Sequence, residues 1–105
     1  MPFAAIAASS SGDNTVVAAQ GASKKIRVFS LFLVCAGAIT VRFESGAGGT
    51  ALTGQMALAA NGGMVLPHNP RGWFETDYDA LLNLELSSAV SVAGGLDYHV
   101  VEEIT

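Results

Sequence analysis

The 105-residue chain is long enough for one domain with its own core, so it needs no disulfide or metal staple. Half of its residues are hydrophobic and only 13% are charged, about half the usual share for a soluble domain, which points to a surface largely given over to contacts. A net charge of −4 argues against nucleic acid as a partner, because phosphate binding draws on clustered lysine and arginine, and Lys24, Lys25 and Arg27 are too short a cluster to reverse this.

The first segment, Met1 to Ala8, is small and apolar, and SSSGDN follows it as a turn or hinge. Alanine enrichment alone would allow a short helix. Pro2, the serine run and Gly12 favour an extended arm over residues 1–13 that reaches a neighbour. The segment has neither the basic n-region nor the long apolar h-region of a signal peptide. A soluble protein made in a reducing compartment is expected.

From Asn14 onward the chain reads as short strands punctuated by turns. Asn14 to Ala19 is the first strand and ends at Gln20-Gly21. Ile26 to Cys35 is long, and Ile39 to Glu44 alternates cleanly, with Ile39, Val41 and Phe43 inward and Thr40, Arg42 and Glu44 outward. SGAGGT is a glycine-rich loop tip; no Gly-Lys-Ser/Thr follows, so it does not read as a phosphate-cradling loop. Thr50 to Leu58 is a strand or a pair of short strands around Gly54, and Met64 to Leu66 is another. PHNPRG then enforces a loop through its prolines. Trp73 to Glu75 resumes extended structure, and Leu82, Leu84 and Leu86 alternate with polar neighbours. Ala89 to Val92 and Leu96 to Val101 form the last strand, interrupted at Ala93-Gly94-Gly95. About eight short strands with turns every 8–12 residues predict an all-β, jelly-roll-like antiparallel β-sandwich over residues 14–105. An immunoglobulin-like sandwich stands behind it, without that fold's paired cysteines.

The stretch IRVFSLFLVC sets a packing problem. Strict alternation puts Ile26, Val28, Phe32 and Val34 on one side and Phe29, Leu31, Leu33 and Cys35 on the other, so both faces are apolar. A sandwich hides only one face of each sheet. Phe29, Leu31 and Leu33 are therefore expected at a subunit interface in a homo-oligomer; coverage by a curved sheet or by the amino-terminal arm is the alternative. Fourteen uncharged residues separate Arg27 from Arg42, fewer than the ~20 a membrane helix needs, and no membrane is expected as a partner.

Signals for chemistry are sparse. His99 lies beside Asp97 on one face, but two side chains are too few for a zinc site. Asp77 and Asp79 flank Tyr78 without the calcium-loop framework. Cys35, the only cysteine, sits in the apolar run as a small hydrophobe, and no nucleophile elbow occurs. No catalytic activity, metal or cofactor is expected. Arg71, Trp73 and Phe74 stand out as a partner contact, since arginine and aromatic residues carry interface hot spots. Trp73 plugging one end of the sandwich is as good a reading, and stacking on a sugar ring is a third.

The order of segments over Thr15 to Glu102 (a KKIRV strand, AGAITVRFESG, TALTGQMALAANGG, PHNPRGWFET and LNLELSSAVSVAGGLDYHVV) resembles small virion proteins of tailed bacteriophages. The resemblance implies a jelly roll assembled in trimers on the capsid surface, a cement or decoration protein whose partners are itself and the major capsid protein. A receptor- or glycan-binding module at a tail tip or fibre is the alternative of another class.

Overall fold

The computed structural model describes residues 2–102; Met1 of the expected arm and residues 103–105 of the expected domain lie outside them. The described residues form strands β1 (Phe3–Ala8), β2 (Gly12–Val17), β3 (Lys24–Cys35), β4 (Ile39–Ser45), β5 (Thr50–Ala51), β6 (Met56–Leu58), β7 (Gly63–Leu66), β8 (Phe74–Glu75), β9 (Leu82–Leu86) and β10 (Val92–Glu102), with no helix among them. All pairings are antiparallel, in two sheets. The first runs β1-β10-β3-β7, with β8 alongside the other half of β3. The second runs β2-β9-β4-β5, with β6 alongside the other half of β4. Each sheet is thus four strands wide, with one edge made of two short pieces.

Alternating apolar residues explain the sandwich. Ile39, Val41 and Phe43 of β4 and Leu82, Leu84 and Leu86 of β9 are buried, facing Ile26, Val28, Leu31, Leu33, Val92 and Leu96 of the first sheet. Phe43 and Phe74 meet across the layers with ring centroids 5.2 Å apart.

The two apolar faces of β3 are reconciled by a β-bulge. Asp97 of β10 pairs with Ser30, but Tyr98 pairs with Val28, leaving Phe29 as an extra residue. One inserted residue reverses the side-chain phase of a strand. Ile26 and Val28 therefore point inward before the bulge, and Leu31, Leu33 and Cys35 point inward after it. Leu31 and Leu33 are 2% and 1% exposed, so they are core residues of this chain and not the subunit interface expected for them. Phe29 is also buried, outside the main core cluster. Its ring lies against His68 (6.0 Å between centroids) and His99 (6.3 Å).

The amino-terminal arm is likewise corrected. Phe3–Ala8 is an edge strand of the chain's own first sheet, paired with Val92 to Asp97, and Ile6 and Ala8 enter the core; β2 already begins at Gly12. Without β1, the backbone of β10 would lack a ladder on that side. The glycine pair that looked like an interruption permits this close three-strand packing. A Cβ at Gly94 would come within 2.0 Å of the Phe32 carbonyl oxygen, and one at Gly95 within 2.2 Å of the Phe3 ring. Strand β10 runs through both glycines without a break.

Candidate functional site

Three surface regions bring together side chains able to recognise or react. The first is the outer face of the β1-β10-β3-β7 sheet. Phe32 pairs with Val65 on one side and Gly95 on the other, and Val34 with Gly63 and Ala93. Because the bulge turns Leu31 and Leu33 inward, Phe32 and Val34 turn outward, 50% and 55% exposed beside Val65 at 73% and Phe3 at 59%. Ala5, Ala7 and Ala93, all exposed, complete the rows. No charged side chain falls within the rows of Phe32 and Val34; Asp97, directly opposite Phe3 in register, borders them and accepts a hydrogen bond from Ser30 Oγ at 3.1 Å. The apolar residues of β3 left exposed are thus Phe32 and Val34, the side-chain set opposite to the one expected at an interface.

The second region is the loop after β7. Its residues are tied to the β3 bulge by backbone hydrogen bonds from Asn69 to the Phe29 carbonyl and from Trp73 to the Val28 carbonyl. Arg71 and Trp73 are on the surface, and the Trp73 indole N–H donates to the Pro67 carbonyl at 2.8 Å. Phe74 departs from the expected contact: opposite Val28 in register, it points into the sandwich and packs on the core. Arg71 and Trp73 lie in the loop before β8 and are exposed, so they do not share its core-facing side.

The third region is a polar network on the outer face of the other sheet. Arg42 and Glu44 of β4 lie opposite Glu85 and Asn83 of β9, and Asp13 of β2 lies opposite Glu85. Carboxylate oxygens of Asp13, Glu44 and Glu85 all fall within 4.8 Å of one another. The donors that hold them together belong to the protein. Asn83 Nδ2 donates to Asp13 Oδ1 at 2.9 Å and to Glu44 Oε1 at 2.8 Å. Arg42 bridges Glu44 Oε2 and Glu85 Oε1. Glu44 and Asn83 are buried in this network, and it reads as the structural lock of three strands. Sequence reasoning missed it because the three acids come from separate strands; the outward positions of Arg42, Glu44, Asn83 and Glu85 were its only local trace.

A smaller ionic cluster sits beyond the bulge. Glu75 accepts hydrogen bonds from Arg27 Nε at 2.9 Å and Lys25 Nζ at 3.1 Å, and Lys25 also lies over the Tyr78 ring. Burial works against the charged carboxylate. The hydrogen bonds from Arg27 and Lys25, with their positive charges, outweigh it and hold the Glu75 carboxyl below its ordinary value of 4.5. A folded-state pKa below the unfolded one adds stability that is present above the unfolded value and is lost as pH falls through the folded one. The stability gap between wild type and Glu75→Gln is thus expected to be open at pH 7, to narrow as pH falls below the unfolded value and to close as it passes through the lower folded one. Urea unfolding at a series of pH values measures it, and a gap that stays constant would remove the ion pair from the stability of the fold.

Comparison of the chain with protein-family models, with curated proteins and with solved structures finds no match.

Proposed function

We propose that this is a jelly-roll virion protein of a tailed bacteriophage, a capsid decoration or cement protein that self-associates and stabilises the head shell. The strand order supports the jelly-roll reading. With the split edges counted once, each sheet holds four strands, and most successive strands alternate between the sheets, as two interleaved Greek keys require. The observation that carries the function is the apolar patch of Phe3, Phe32, Val34 and Val65 on the outer face of the first sheet, bordered by Asp97 opposite Phe3. Contiguous exposed apolar surface marks an interaction site, protein–protein interfaces among them. On this reading neighbouring copies and the major capsid protein cover it on the outside of the virion, where Arg71 and Trp73 add contacts. Stabilisation then follows from mass action. A ligand that binds only the assembled shell stabilises it by about 2.7 kcal/mol at a hundred times its Kd.

The test is co-sedimentation with capsids that lack this protein. Wild type is expected to pellet with them to a saturating level, and Phe32→Lys/Val34→Lys to bind at least ~10-fold more weakly while keeping its β-sheet circular dichroism, since ~1.4 kcal/mol is tenfold. Wild-type protein that stays in the supernatant at every ratio tried would sink the decoration reading.

A further inference from the structure

A sandwich of two open sheets has four edges, and three of them are guarded here. The edge opposite β1 is broken into β7 and β8 around a loop with Pro67 and Pro70. The edge of the second sheet at β5 and β6 is broken around Gly54 into pieces of two and three residues. At β2 the guards are the charged Asp13, a bulge at Val16 where the pairing to β9 slips, and the Asn14 side-chain amide, which donates to the Gly12 carbonyl. Short strands, bulges, prolines and charges are the devices that stop sheet edges from pairing with other chains. Strand β1 has none of them within its length. It is six regular residues, FAAIAA, without charge, proline or bulge.

Its free hydrogen-bonding groups can be assigned. Tyr98 N–H donates to the Pro2 carbonyl at 3.0 Å, so Pro2 and Tyr98 face each other as a hydrogen-bonded pair. Such pairs alternate along an antiparallel ladder. Ala4, Ile6 and Ala8 therefore direct their backbone groups at β10, while Phe3, Ala5 and Ala7 direct theirs at the open edge. Among the described residues nothing pairs with that edge.

The geometry points to β1 as the strand through which two copies of this chain join, antiparallel, about a two-fold axis at Ala5. This deepens the self-association proposed above and rests on it. In that register Ala5 faces Ala5, and Phe3 of one copy faces Ala7 of the other, so each outward-directed N–H and C=O meets a partner. A shift by one residue breaks the match, because it sets edge-facing groups against groups already bonded to β10. Side chains agree with the same register: each Phe3 ring meets an alanine across the strands, and Ala4 meets Ile6 on the core side. A second copy is the occupant favoured because the strand is complementary to itself, uncharged and flanked by small residues. The joined sheets also merge the two apolar outer faces into one surface, since Phe3, Ala5 and Ala7 border Phe32 and Val65 through Gly95.

Size exclusion with light scattering and hydrogen exchange test this on the intact chain. Wild type is expected at the mass of two chains, with slow exchange at the Phe3, Ala5 and Ala7 amides. Ala5→Lys/Ala7→Lys places charge on the edge, and Ala5→Pro removes an N–H that the single chain does not use. Both are expected to halve the mass and to leave the circular dichroism and the exchange of the β3 and β10 amides unchanged. A multimer whose mass neither variant changes, a trimer included, overturns the edge pairing and leaves self-association standing. A wild-type mass of one chain overturns both the pairing and self-association, while binding to capsids is decided separately by co-sedimentation.

Discussion

Leu31→Asp is expected to yield an unfolded chain, and Phe32→Lys, one residue further on, a folded one. Leu31 sits on β3 between Leu96 of β10 and Leu66 of β7, inside the core cluster. Removing a buried leucine side chain down to alanine costs about 2–5 kcal/mol. An aspartate there adds the desolvation of a carboxylate, several kcal/mol more, with no cation in the core to meet it. Together these approach or exceed the whole stability of a small domain, about 5–15 kcal/mol. Phe32 points the other way and is half exposed, so a lysine there reaches water. Far-ultraviolet circular dichroism and amide chemical-shift dispersion of the two variants measure the difference. A folded Leu31→Asp protein with wild-type urea midpoint would mean that the bulge at Phe29 is absent and that β3 keeps strict alternation.

The second large effect belongs to Arg42. Its guanidinium is the only cation among the described residues that reaches the buried Glu44 carboxylate, whose side chain is 1% exposed. Arg42→Met keeps much of the apolar stem but leaves Glu44 with the Asn83 amide alone. Breaking a buried ion pair by removing one partner costs about 3–5 kcal/mol, because a buried charge is left uncompensated. Replacing both partners, Arg42→Met/Glu44→Met, is expected to recover most of that loss. Denaturant unfolding of the two single variants and the double variant gives the coupling directly. A loss below ~1 kcal/mol for Arg42→Met would place the pair with ordinary surface ion pairs and would mean that the network is wetter than its burial implies.

Much of this fold was legible along the chain. Strands β4 and β9 alternate apolar and polar residues with no break, and SGAGGT marks a turn that the structure contains; Gly46 and Gly48 there have positive φ. The break of Thr50 to Leu58 into two short strands follows Gly54 and is found. These features are local, fixed by side-chain periodicity and by which residues tolerate a left-handed backbone. The apolar excess of β3 was legible too, as a surface in want of a cover.

Tertiary structure alone decided which side of β3 that surface is. Nothing in FSLFLV marks Phe29 as the extra residue. Its displacement depends on the register of β10, and on the loop at Asn69 and Trp73 bonded to the carbonyls beside it, contacts some 40 to 70 residues away. The same holds for FAAIAA, whose alanines favour no strand by themselves and become β1 because β10 presents an unpaired edge and two glycines beside it. Asp13, Glu44 and Glu85 share a network only once β2, β9 and β4 lie side by side. Periodicity sets what a strand can bury. Pairing between distant strands sets which residues it buries, because a one-residue change of register exchanges the two faces.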